Sequence, residues 1–226
     1  MLVAVLVMIG VGFVVKGAMN GDTSSELIEP QSASVVKADE VAMDYDKKLI
    51  VIDPGHGGID PGSVMDDTYE KDVNSEVALK LQSALDEAGY SVMMTRSEDE
   101  SLSLLERAEF ANEVGADLFV SLHQNSYGED NSVNGIEVYY NNSEKSIESE
   151  QIAQLIQAGL ITETGAKDRG IRAYNGLVVT RETTMPSCLV EMGYMSNPIE
   201  LSLMNSDSYQ DKMVTGIVNG INQFFE

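Results

Sequence analysis

The stretch Leu49-Ile50-Val51-Ile52-Asp53-Pro54-Gly55-His56-Gly57-Gly58 decides how the rest of the chain is read. Leu49–Ile52 is a short apolar run, and Asp53-Pro54-Gly55 ends it as a strand. An unbroken apolar run belongs to a strand covered on both faces, as in a parallel sheet between helices. Polar residues just past such a strand lie where open α/β sheets gather functional groups. Glycine on both sides of His56 lets the backbone turn sharply and leaves the imidazole uncrowded. A Gly-rich loop here could also cradle phosphate. No GxGxxG or GxxxxGK[ST] follows, and the surrounding charge is negative, so that reading is set aside.

Outward from this stretch, strand and helix patterns alternate. Val73, Val77, Leu81 and Leu85 form one helical stripe, with Asp72 as the expected N-cap and Gly89 as terminator. Tyr90–Thr95 reads as a strand. Ser103 opens a second helix, with Glu106 completing a capping box, and Gly115 closes it. Leu118–Leu122 is an apolar strand that runs into His123, and Ile136–Tyr140 is another. Ile152, Leu155, Ile156 and Leu160 mark a third helix. Leu177–Thr180 and Cys188–Glu191 read as strands, and Met213, Ile217, Ile221 and Phe224 mark a C-terminal helix. The expected fold is α/β: a single domain with a mostly parallel mixed sheet of about six strands, flanked by helices on both faces.

The expected folded domain is 47–226. Residues 1–19 begin with Met1–Val15, which carries no polar side chain, and read as a signal or anchor segment. Residues 20–46 shift to Ser, Asp, Glu, Gly and Pro and read as an acidic linker. Lys and Arg number 14 against 37 Asp and Glu, a formal net charge of −23. Such a surface repels phosphate backbones and anionic lipid, so no nucleic-acid partner is expected, and membrane contact only through the N-terminal segment. The lone Cys188 excludes an intrachain disulfide framework and a Cys-rich zinc site.

Only two histidines exist, His56 and His123, and both follow strand patterns. Two imidazoles and a carboxylate leave one position open on tetrahedral zinc, the catalytic arrangement. A second carboxylate beside it would serve as general base. Glu70, placed before the first helix, and Glu191, at the end of a strand, are the available carboxylates. Asp53 is open between orienting an imidazole and being a plain turn residue before Pro54.

Four motifs in order carry a resemblance: Val51-Ile52-Asp53-Pro54-Gly55-His56-Gly57-Gly58; Tyr69-Glu70-Lys71-Asp72; Ser121-Leu122-His123-Gln124-Asn125; and Val190-Glu191-Met192-Gly193-Tyr194-Met195-Ser196-Asn197. Ser103-Leu104-Leu105-Glu106-Arg107 with Ala111-Asn112, and Asp168-Arg169-Gly170-Ile171, fall between them. Residues 48–226 together resemble the zinc-dependent N-acetylmuramoyl-L-alanine amidases of the type-3 family, most nearly the spore-former subgroup that includes germination amidases. The resemblance implies His56, Glu70 and His123 as ligands of one Zn2+ per chain and Glu191 as the catalytic glutamate. It implies a peptidoglycan hydrolase that cleaves the amide between N-acetylmuramic acid and L-alanine; residues 1–19 lead to the expectation that it works outside the cytoplasm, and a monomer is expected. Another zinc amidohydrolase or peptidase, or a non-catalytic wall-binding module, is the alternative. Gln124 stands where the family often has Ala, and Tyr194-Met195 where it often has Phe-Leu. Substrate-binding residues are not assigned. Some relatives carry an inserted helix that blocks the cleft; here 141–169 has room for one helix, so an open cleft is expected.

Overall fold

The computed structural model describes residues 47–128, 130–142 and 146–226. The expected N-terminal segment and acidic linker lie outside the described residues. Among those described, no helix is long and apolar enough to cross a membrane.

A six-stranded sheet carries the fold. In chain order its strands are β1 (Leu49–Pro54), β4 (Ser91–Met94), β5 (Leu118–Asn125), β6 (Ile136–Tyr140), β7 (Asp168–Ala173) and β8 (Ser187–Tyr194). Two short strands, β2 (Val64–Met65) and β3 (Thr68–Tyr69), form a separate hairpin. The sheet order is β4-β1-β5-β8-β6-β7. All neighbours pair in parallel except β6 and β8, so β6 and β7 run against the other four.

Alternation along the strands sorts side chains into two layers. Ile50, Ile52, Val120, Leu122 and Val190 face α1 (Glu70–Glu87), α3 (Ser146–Thr164) and α6 (Asp207–Phe225). Val51, Phe119 and Leu189 face α2 (Leu104–Glu113) and the single-turn α4 (Val178–Arg181). The last helix, α5 (Pro198–Met204), follows β8 and is capped by Asn197, which accepts from the N–H groups of Ile199 and Glu200. The stripe expected on α1 is buried, and the capping box on α2 forms in both directions between Ser103 and Glu106. Gly89 and Gly115 follow α1 and α2 at φ +96° and +69°, as helix-ending glycines do.

Three readings are corrected. Leu177–Thr180 is not a strand: Val178–Arg181 makes one helical turn that buries Val179 and Thr180 under the sheet. A four-residue apolar run fits either structure, and packing decides. The sixth strand is instead β7, whose Asp168-Arg169-Gly170-Ile171-Arg172-Ala173 lacks an apolar pattern because it is an edge strand, where charge is tolerated. Asp72 does not cap α1. The helix begins at Glu70, and its first N–H groups reach the loop carbonyls of Ser63 and Pro61 at 2.9 and 3.2 Å. Carbonyls from the loop therefore replace a side-chain cap.

Candidate active site

The site lies toward the carboxyl ends of β1, β5 and β8: His56 follows β1, whereas His123 and Glu191 lie within β5 and β8, before their last residues. After β1 the chain leaves the sheet through His56 at φ +62°, a left-handed conformation that costs a non-glycine residue about 1 kcal/mol or more. Two buried arginines hold that turn. Arg96, just past β4, donates to the carbonyls of Pro54 (2.9 Å) and Gly55 (3.0 Å). Arg107 on α2 donates to the carbonyls of Pro54 (2.8 Å) and His56 (2.7 Å). Loop carbonyls that no strand can satisfy are thus met by guanidinium forks.

Asp53 belongs to this scaffold. It is fully buried and accepts from Arg107 (2.8 Å), Thr95 (2.6 Å) and Ser121 (2.7 Å). Among the described residues it makes no hydrogen bond to either imidazole. The carboxylate that orients His56 is Asp60, whose Oδ2 lies 2.8 Å from Nδ1.

The structure brings the three expected ligands together. One ligand atom from each of His56, Glu70 and His123 can be chosen so that all lie within 4.8 Å of one another. Glu70 Oε1 lies 3.2 Å from His56 Nε2 and 3.0 Å from His123 Nδ1. Its carboxylate also accepts backbone N–H groups from Ser63 and Gln124 at 2.9 and 3.0 Å. Burial opposes its ionisation, yet hydrogen bonds from His123 and His56 hold it well below the usual carboxylate range. Burial likewise opposes charge on His56, but Glu70 and Asp60 outweigh it and push the imidazole up to about 9. A Cβ on Gly55 would sit 2.3 Å from the His123 ring, so the bare backbone is what admits the second imidazole. Gln124 turns its side chain toward Asn74 on α1 and reaches the site through its backbone N–H.

Glu191 stands opposite His123 across the β5–β8 ladder. Its Oε2 is buried and has no hydrogen-bond partner among the described residues. Burial pushes this carboxyl up to about 7; the His123 and His56 charges oppose the shift, and Glu70 and Glu137 add to it. All four residues line one cleft of about 490 Å³. Among the described residues, 141–169 holds α3 and no second helix, so nothing in that stretch fills the cleft.

Sequence reasoning missed Asp60, Arg96 and Glu137. Arg96 follows a strand's carboxyl end, the rule already applied to the histidines, and could have been found that way. Asp60 and Glu137 carry no such signal.

The donor set of two imidazole nitrogens and one carboxylate oxygen, with a carboxylate on the outer nitrogen of His56, fits a zinc ion. The N-acetylmuramoyl-L-alanine amidase family model matches residues 50–223. The germination-specific N-acetylmuramoyl-L-alanine amidase of Bacillus subtilis (strain 168) is 33% identical over 79% of this chain and 80% of its own length. The catalytic domain of CwlV, an N-acetylmuramoyl-L-alanine amidase from Bacillus (Paenibacillus) polymyxa var. colistinus, superposes with a TM-score of 0.74 at 39% identity, covering 79% of this chain and 98% of that one. The CwlD amidase from Clostridioides difficile, solved in complex with the GerS lipoprotein, superposes at 0.75 with 30% identity, covering 79% and 98%. With the family model matching most of the chain and relatives above 30% identity covered over most of their length, the chain belongs to the N-acetylmuramoyl-L-alanine amidase family.

Proposed function

We propose that His56, Glu70 and His123 hold one zinc ion and that Glu191 is the general base for hydrolysis of the amide joining N-acetylmuramic acid to L-alanine in peptidoglycan. The observation that carries this is the convergence of the three donor atoms beside a buried carboxylate oxygen with no partner of its own. When bound, zinc supplies a Lewis acid that acidifies water and polarises the amide carbonyl.

The chain's own residues do the rest. Asp60 accepts from His56 Nδ1–H and so keeps the Nε2 lone pair turned inward. The Ser63 and Gln124 N–H groups fix Glu70 so that Oε1 faces both imidazoles. Glu191 Oε2 takes the proton of the attacking water and returns it to the departing alanine nitrogen. Burial raises the proton affinity of this carboxyl above its ordinary range, which favours taking a proton from water. The open cleft lets a monomer reach substrate unaided. Residues 1–19 would place the domain on the outer face of the cytoplasmic membrane or release it there, with 20–46 as spacer.

The test is metal content together with release of new alanine amino termini from muropeptides by the purified, zinc-loaded chain. Glu191→Gln should keep one zinc per chain and lose about 10²–10⁴-fold in turnover. Near-normal turnover in that variant would identify another base, and full zinc retention in His56→Ala would remove the metal assignment. If the zinc-loaded chain is inert until another protein is added, the unaided open cleft is wrong.

A further inference from the structure

The functional row does not stop at the base. His123 on β5 faces Glu191 on β8, and Glu191 faces Glu137 on β6. The next strand outward, β7, carries Arg169 and Arg172. One edge of the sheet therefore presents a metal ligand, a base, a buried carboxylate and a pair of guanidiniums in succession.

Glu137 is saturated. It is 2% exposed and accepts from Tyr194 Oη (2.7 Å), Asn125 Nδ2 (2.9 Å) and Arg172 Nε (2.5 Å), with Arg169 Nε at 3.5 Å. Those three hydrogen bonds and the guanidiniums beside it hold this carboxyl below its ordinary range, which makes it a poor proton acceptor. What it does is fix the arginines. Arg169 lies over the Tyr194 ring, 4.9 Å from its centroid, and donates to the Asn134 carbonyl at 3.3 Å. Arg172 is gripped through Nε alone. Its two terminal nitrogens make no hydrogen bond among the described residues, and its side chain is 48% exposed.

Arg169 also faces the buried carboxylate of Glu200, so the unused hydrogen-bonding capacity of this group lies on Arg172. A charged edge strand could serve only to block edge-to-edge pairing. For that purpose Arg172 need only reach into solvent, whereas it folds onto Glu137 beside the base. A guanidinium held at Nε with its terminal fork free is shaped to take a carboxylate through two parallel hydrogen bonds.

Which carboxylate follows from the substrate's chemistry. The lactyl carboxyl of the sugar is consumed in the scissile amide, so free carboxylates lie on the peptide side. From β8 to β7 is two strand spacings, roughly 10 Å, which an extended peptide covers in about three residues. We propose that Arg172, steadied by Glu137 and flanked by Arg169, is a subsite for a free carboxylate within the first few residues of the stem peptide. This rests on the amidase reading of the site.

The test compares two muropeptides, one with free stem-peptide carboxylates and one with those carboxylates amidated, on the zinc-loaded full chain. The unaltered enzyme should prefer the free acid by about tenfold or more in kcat/KM, expressed in KM, as a charge-assisted bidentate contact provides. Arg172→Gln should erase the preference, and Arg172→Lys should restore only part of it, because a point charge cannot form the fork. A second readout needs no turnover. Zinc-loaded Glu191→Gln should bind the free-acid peptide more tightly than the amidated one, and the added Arg172→Gln should abolish that difference. If Arg172→Gln keeps the preference, or the unaltered enzyme shows none, the subsite is wrong while the amidase reading stands. If neither muropeptide is cleaved or bound, both readings fall together.

Discussion

Glu191 keeps Oε2 buried where nothing donates to it, so ionising this carboxyl costs the fold free energy. Its folded value of about 7 lies above the unfolded value near 4.5, so the folded chain holds the extra proton between those limits. The stabilisation is present below about pH 4.5 and lost as pH rises through 7. Glutamine carries no charge at any pH. In zinc-free protein, Glu191→Gln should therefore gain on the unaltered chain by roughly 1–3 kcal/mol between pH 4 and pH 8, read as the difference in urea midpoints. A gap that stays constant with pH would mean the carboxyl is not destabilised by burial. On the proposed mechanism the same variant should lose turnover, so stability and activity would pull in opposite directions at one atom. His56, His123 and Glu191 were legible in the sequence because each ends a strand pattern, and the family resemblance supplied their roles together with that of Glu70. Asp60 was not, because its place beside His56 depends on a turn through His56, Gly57 and Gly58, all at positive φ, which no periodicity announces. Asp53 stayed open in the sequence because its neighbours are the site's, and only the structure shows its side chain bound to Arg107 and Ser121.

At the scale of elements, α3 and α6 touch backbone to backbone. A Cβ on Gly159 would lie 2.2 Å from the Gly216 carbonyl oxygen, and one on Gly216 would lie 2.8 Å from the backbone of Gly159 and Leu160. Gly220 meets Ile156 at 2.7 Å in the same way. On helix propensity alone Gly216→Ala should stabilise by about 1 kcal/mol. The contact reverses the sign: backbone cannot swing aside as a side chain can, so the substitution should destabilise by about 1–3 kcal/mol. Chemical denaturation decides between the two, and a more stable variant would show that the helices are not in contact. Those glycines look like faults in a helical pattern until the partner helix is seen. The apolar stripes of α1, α3 and α6 and the capping box of α2 could be read directly, since each is a local signal. The strand β7 could not, because an edge strand with two arginines has no apolar period to read; its neighbour Leu177–Thr180 had one and became a helical turn.

For the molecule as a whole, the proposed ligands come from the loop after β1, from the first residue of α1 and from β5, and the proposed base comes from β8. No two of these positions are held near one another by chain connectivity alone. Zinc should therefore bind the folded chain and spare the unfolded one, and stability should rise with free metal by about 4 kcal/mol at a thousand times the dissociation constant. Calorimetry of the full chain should show a Tm that climbs with the logarithm of free zinc and returns to its starting value with a chelator. His123→Ala should abolish the climb, and a Tm indifferent to zinc in the unaltered chain would refute the metal site. Assembly from four separate elements has a bearing on the chain's life before it is finished. A nascent or half-threaded copy has no blade, since cutting power arrives only when the distant quarters of the sheet have met.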